Sequence, residues 1–400
     1  MSDLLISDVR VFDSEAGELR DGPVRVVGGV IESVGAEPRA DYDGPTLDGA
    51  GGTVIPGLID AHFHAYGFAT DAQTLESRPL SYVALAAARR LGRALRRGFT
   101  TIRDPAGGDP GLAAAIAEGL LPSPRYLYTG PGLSQTGGHG DIRTAEEPGG
   151  CVCGGIGVEV VDGVDALRVA VRDRFRRGAH AIKIMASGGV ISPTDPIRPP
   201  QYSAEEIRVV TEEAARRGSY VAAHSYSPEA IRHAVENGVR SIEHGNLLDR
   251  PTAELMAERR AFLVPTLAAY DALDRLGAAA GVSALALAKN AEVLDAGRTA
   301  VDLARAAGVP IGFGTDLMGR LESEQLVGLR LQTEVDGVAR TLHSATRVNA
   351  TVIGRSDLGV VEPGAVADLV VLPGDMLADP SLLWGESRTV IQGGVVVPDE

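Results

Sequence analysis

Eight short apolar runs, each followed by a stretch with helical periodicity, recur through the middle of the chain. That alternation restricts the fold more than any other feature of the sequence. The runs cover residues 54–60, 100–104, 125–129, 181–186, 220–224, 241–244, 262–266 and 311–315. Residues 81–98, 203–218 and 227–238 read as helices between them: Ser203 opens a capping box with Glu206, Pro228 follows a serine cap, and Gly98, Gly218 and Gly238 supply stops. Eight such units closing on themselves predict an α/β fold, a (β/α)8 TIM barrel whose chemistry sits at the carboxyl ends of its strands. An open doubly wound sheet is the alternative, but the Gly-rich segments do not follow G-x-G-x-x-G between strand and helix.

The two ends of the chain have a different texture. Residues 4–13, 23–35, 367–375 and 389–399 read as short strands separated by Gly, Asp and Pro. Neither end has enough strands for a core of its own, so both are expected to meet in one small β-sandwich. The expected units are therefore residues 1–55 with 357–400, and a barrel of residues 56–356. A formal charge of -15, spread without long like-charged blocks, argues against nucleic acid or an anionic membrane as partner. No apolar run approaches the roughly 18 residues of a membrane span, and MSDLLISDVR lacks the basic and apolar regions of a secretory signal, so a cytoplasmic location is expected. Cys151 and Cys153 are too close for a relaxed disulfide, and without other thiols nearby they make a poor metal site. Hydrophobic helices on the barrel exterior suit a homo-oligomer of unspecified order.

Polar residues end or interrupt several of the apolar runs. VIPGLIDAHFH (54–64) carries His62 and His64, which in an extended strand point to one side and could share a divalent cation. A bare H-x-H is more often a pair of surface histidines. The later runs change that balance: His224 ends VAAHSY, His244 lies in SIEHG, and Asp316 follows GFGTD. Lys183, inside AIKIMAS, is the most informative, because a cationic lysine on a buried parallel strand costs several kcal/mol unless paired or converted. It either pairs with a carboxylate such as Asp316 or Glu243, or its neutral amine adds carbon dioxide and becomes an anionic oxygen ligand.

His62-x-His64, Lys183, His224, His244 and Asp316, in that order on successive strands, resemble the binuclear-metal branch of the amidohydrolase superfamily. The resemblance extends over the terminal β unit, the VIPGLIDAHFH opening and the closing GVVEPGAVADLVVL (359–372). TGGHGD, ASGGV and AHSYSPEAI are most similar to dipeptidases of the Xaa-Pro type, with imidazolonepropionase-like enzymes and arylamide- and carbamate-cleaving hydrolases as further relatives. The resemblance implies two divalent metal ions, zinc by default: His62, His64 and Asp316 on one, His224 and His244 on the other, with a carbamate on Lys183 and a hydroxide bridging them. It also implies Asp316 as the proton carrier in hydrolysis of a C–N amide bond, the substrate being a small molecule such as a dipeptide or N-acyl amino acid.

His139, in the long connection 130–164, and Tyr226 are the expected hydrogen-bond donors to a substrate carbonyl or carboxylate, counted with Asp316 as catalytic residues. Arg198 and Tyr202, in the Pro-rich connection 187–203, are weaker candidates for holding substrate charge. His180, His233 and His343 read as structural, and Arg103-Asp104 as an ion pair at the barrel rim. Arylamide, carbamate or urea hydrolysis is one competing function, and deamination of a cyclic substrate another. Deaminases of this superfamily generally lack the lysine, and non-catalytic relatives lose ligands that are all present here.

Overall fold

The computed structural model describes residues 3–36, 43–143, 146, 155–192 and 195–398. Cys151 and Cys153 lie outside these residues. At the middle of the molecule, strands Leu58–Asp60, Phe99–Asp104 and Arg125–Tyr128 run parallel in one sheet. A second parallel sheet orders Val158–Val160, Gly132–Ser134, Ile182–Met185, Val221–Ser225, Ser241–His244 and Phe262–Val264. Seven of the eight expected runs thus form strands where the sequence places them.

The eighth run, 311–315, makes only an isolated bridge from Ile311 to Leu263. Its glycines weaken a regular ladder, yet its backbone ties the two sheets together. Gly312 N–H donates to Leu263 O (2.8 Å), while Ala61 N–H donates to Phe313 O (3.0 Å) and Asp316 N–H to His62 O (2.7 Å). Asn349 pins the same junction, donating to the carbonyls of Ile59 and Phe313 and accepting from Phe313 N–H. At the opposite junction the third run breaks at Gly130-Pro131, and Gly132–Ser134 carries on to pair with Ile182–Met185.

Helices cover the outside of these strands. Ala204–Arg216 begins at Ser203 with a complete capping box to Glu206, and Pro228–Glu236 begins at a Ser227 cap with proline in its first turn. Their apolar faces pack Ile207, Val210, Ile231 and Val235 against Ile184, Val221 and Ile242 in one continuous core.

Among the described residues, strands from both ends of the chain form one hydrogen-bonded sheet. Its order is Val395–Val396, Thr389–Gln392, Leu369–Leu372, Thr46–Pro56, Leu4–Asp13, Val24–Val27 and Val30–Val34, with Glu18–Asp21 on Leu4–Asp13. Thr46–Pro56 sits at its centre, parallel to Leu4–Asp13 and antiparallel to Leu369–Leu372. Only Gly57 separates it from Leu58–Asp60, so one nearly continuous extended segment leads from the terminal sheet to the two histidines.

Candidate metal centre and active site

A cavity of about 420 Å³ opens at the carboxyl ends of the parallel strands. His62, His64, Lys183, His224, His244 and Asp316 all line it, together with His139 and Tyr226. Residues far apart in sequence therefore share one chamber: His62, His64, His224 and His244 lie at or just beyond the carboxyl ends of parallel strands, Lys183 lies within Ile182–Met185, and Asp316 follows the run 311–315.

His62, His64 and Asp316 offer ligand atoms within 4.8 Å of one another. Asp316 Oδ1 stands 3.0 Å from His64 Nε2 and 3.5 Å from His62 Nε2. Such closeness requires a strand with no side chain beside it: a Cβ on Gly314 would lie 2.6 Å from His62 Cβ and 2.7 Å from Val264 Cγ1. Asp316 and His244 both adopt left-handed backbone, at φ 52° and 76°. For a non-glycine residue that conformation costs of order 1–3 kcal/mol and is concentrated at functional sites.

Each of the four histidines has one ring nitrogen occupied by the protein. His62 Nδ1 donates to Glu243 Oε2 (2.8 Å) and His224 Nε2 to Gly188 O (3.1 Å). His244 Nδ1 bonds Thr266 Oγ1 (2.7 Å), and His64 Nδ1 lies 3.5 Å from Asp104 Oδ1. The nitrogens left for a ligand are therefore Nε2 of His62, His64 and His244, and Nδ1 of His224. Carboxylate, carbonyl and hydroxyl partners behind imidazoles are the arrangement that orients metal ligands and fixes their tautomers. The donor set fits a divalent cation.

Burial holds His62 and His224 well below the ordinary imidazole range and brings His244 down to about 3, so these rings are neutral and able to ligate. His64 differs. Burial acts on it as well, but hydrogen bonds to Asp104 and Asp316 outweigh it and push its pKa up to about 9. Burial alone would raise the Asp316 carboxyl, yet His62, His64 and His244 hold it far below the usual carboxylate range.

Lys183 is buried, and that burial lowers its amine to about 8 against the opposing pull of Glu243 and Asp316. Glu243 does not serve it as a direct ion pair. Both Glu243 oxygens are taken by Arg103 (2.7 Å each), and they also accept from Ser241 and His62. The expected Arg103-Asp104 pair is accordingly absent. Neighbours in a strand point to opposite sides, so fully buried Arg103 reaches Glu243 behind His62, while Asp104 faces His64 and accepts from Ala65 N–H and Tyr126 Oη.

His139 stacks on His224, with ring centres 4.1 Å apart. Ser192 Oγ donates to Gly189 O, so its bond with His139 Nδ1 (3.0 Å) must be donated by the imidazole. Burial keeps His139 below the usual range, and the neutral ring therefore presents Nε2 as an acceptor rather than the expected donor. Tyr226 Oη faces Tyr270 Oη at 2.9 Å.

Arg198 and Tyr202 are not brought to the site. Arg198 points outward, its guanidinium paired with Glu292, and Tyr202 spends its hydroxyl on Val161 O (3.0 Å). Neither lines the cavity. The sequence reading named Glu243 only as a possible partner of Lys183 and Asp104 only in a rim ion pair, and it did not single out Thr266 or Tyr270. A signal existed for Glu243 alone, a buried acid in the strand SIEH that needs a partner. His180, His233 and His343 stay away from the cavity; His233 and His343 bond the carbonyls of Tyr202 and Ser14.

The amidohydrolase family model matches residues 53–397. Ochratoxinase of Aspergillus niger is 36% identical over 280 residues, covering 66% of this chain and 58% of that enzyme, so the chain spans under two thirds of this curated relative's length. The crystal structure of a prolidase complexed with N-methylphosphonate-L-proline is 41% identical, with a TM-score of 0.96 and 100% of both chains covered. A Xaa-Pro dipeptidase crystallised with bound methionine is 28% identical, with a TM-score of 0.88 over 99% of this chain and 100% of that one. Family and neighbours imply a TIM-barrel-type fold, and this chain belongs to the amidohydrolase family.

Proposed function

We propose that this protein is a metal-dependent hydrolase that cleaves a C–N amide bond, with a dipeptide or N-acyl amino acid as substrate. The observation that carries this reading is the His62, His64 and Asp316 cluster, in one cavity with His224, His244 and Lys183. It is supported by the names of the similar structures, a prolidase with a proline phosphonate and a Xaa-Pro dipeptidase with methionine. In this reading residues 56–356 form a closed barrel and residues 1–55 with 357–400 the companion β unit.

Two divalent cations, zinc by default, would supply a Lewis acid for the scissile carbonyl and lower the pKa of the attacking water. His62, His64 and Asp316 would hold one, and His224 and His244 the other. Lys183 would join them as a carbamate: its neutral amine adds carbon dioxide, forms an N–C bond and releases one proton, so that the neutral group becomes an anion. Asp316 carries the transferred proton. Its Oδ1 faces His62 and His64 at 3.5 and 3.0 Å, while Oδ2 lies 3.9 Å from His244 Nδ1 and is the less engaged oxygen, the one to take a proton from water and pass it to the leaving nitrogen. Tyr226 donates to an acceptor oxygen of the substrate, and His139 accepts from a substrate N–H.

The test is a library of dipeptides and N-acyl amino acids assayed with zinc-loaded enzyme, alongside elemental analysis. Turnover within that library with about two metal equivalents per chain supports the reading. One equivalent with release of ammonia from cyclic substrates would replace it with deamination.

A further inference from the structure

Behind Tyr226 runs a chain of hydroxyls that the reaction as described above does not use. His244 Nδ1 meets Thr266 Oγ1 at 2.7 Å, Thr266 Oγ1 meets Tyr270 Oη at 3.3 Å, and Tyr270 Oη meets Tyr226 Oη at 2.9 Å. All four side chains are buried: Thr266 is 0% exposed and the other three 2% each. Such a chain has few allowed proton arrangements, because each hydroxyl has a single proton to give.

Thr266 gives its proton to Tyr270, so it must accept from His244, which places the imidazole proton on Nδ1 and leaves Nε2 without one. Tyr270 has then received a proton from behind and can give its own to Tyr226. Tyr226, accepting from Tyr270, keeps its own proton for the cavity. Reversing the last link would leave the Tyr270 proton without a partner in the chain, and an unmade buried hydrogen bond costs about 1–3 kcal/mol.

From this we infer that Thr266 and Tyr270 are positioning residues that make Tyr226 an obligate hydrogen-bond donor. The tautomer that frees His244 Nε2 for a ligand is the one that sends the last hydroxyl proton toward the substrate. Specificity follows: the group seated on Tyr226 must be an acceptor, a carbonyl or carboxylate oxygen, and an amine or hydroxyl donor in that place is rejected. The reaction served rests on the function proposed above, but the proton directions do not.

Neutron diffraction from deuterium-exchanged crystals of the zinc-loaded protein tests the directions without needing a substrate. The expected map has deuterium on His244 Nδ1, on Thr266 toward Tyr270, on Tyr270 toward Tyr226, and on Tyr226 toward the cavity. Deuterium on Tyr226 pointing to Tyr270 overturns the inference. A kinetic cycle tests the consequence on any substrate the library yields. Tyr226→Phe is expected to lower kcat by about 100-fold, as for loss of a donor to a developing oxyanion. Tyr270→Phe and Thr266→Val should each lower it by about 3- to 10-fold at unchanged zinc content, and Thr266→Ser should restore it. In the Tyr226→Phe background, Tyr270→Phe should have no further effect, since it acts only through the missing hydroxyl. An undiminished effect in that background refutes the relay, whereas an inert Tyr226→Phe refutes the substrate role of Tyr226 and leaves the neutron result standing.

Discussion

Glu243 is the side chain on which most of the proposed centre depends, although it ligates nothing. It accepts from His62 Nδ1 and neutralises fully buried Arg103. Glu243→Gln should therefore weaken retention of the cation proposed at His62 and His64 by about 10- to 100-fold, as is usual for a lost partner of a ligating histidine. Competition with a chelator measures this. Asp316→Asn, by contrast, should abolish turnover while most metal stays, because the amide can still ligate but cannot accept the proton; elemental analysis beside the activity assay separates the two effects. Lys183→Ala should lose activity that bicarbonate and short carboxylic acids partly restore by occupying the vacated place. The six candidate ligands were legible in the sequence because each is polar where an apolar strand should continue. Thr266 and Tyr270 were not, since a threonine and a tyrosine beside a strand end are ordinary core residues until their hydroxyls are seen to meet. The misreadings of Arg198 and Arg103 share a cause: sequence places a residue on a loop or strand but does not say which way a long side chain turns.

Helix Ala284–Ala307 holds the loop that roofs the centre. Lys289 Nζ donates to the carbonyls of Gly189 (3.0 Å), Ser192 (2.7 Å) and Asp195 (2.8 Å), the loop whose Gly188 carbonyl meets His224 and whose Ser192 meets His139. The loop also crowds His139, for a Cβ on Gly189 would fall 2.0 Å from the ring. Lys289→Met should leave the helix intact and speed amide exchange across residues 187–192, which mass spectrometry can follow. Unchanged exchange there would show that the remaining contacts suffice. At this scale the sequence was most informative where local chemistry decides. The capping box at Ser203 and the glycine stops predicted helix limits that the structure reproduces within a few residues. It was least informative where tertiary contacts decide, as at 311–315, whose ladder is replaced by a few isolated bonds to both neighbours, and in the connection 130–164, where Gly132–Ser134 and Val158–Val160 form strands.

Taken as a whole, the molecule keeps several histidines neutral inside it, and that makes its stability depend on pH and, with the proposed cations bound, on metal as well. His180 and His244 have folded pKa values of about 4 and 3, and His62 and His224 are also lowered, all chiefly by burial. The unfolded chain binds protons at these residues below about 6.5 while the folded chain does not, so stability falls as pH drops from about 6.5 toward 4. His64 has the opposite sign: raised to about 9, it contributes stability that is complete below about 6.5 and lost as pH rises through 9. Chelated protein should melt several degrees below zinc-loaded protein at pH 7.5, and the gap should close toward pH 5 as protons compete for the ligands; calorimetry across that range measures it. The terminal sheet takes part in the same balance. Leu369–Leu372 pairs residue for residue with Thr53–Pro56, and Gly57 N–H then bonds Asp368 O. The last stretch of the polypeptide thus acts as a splint for the segment that delivers His62 and His64. Loosening this strand would let both imidazoles drift off target, so that damage remote in sequence would be felt at the reaction centre.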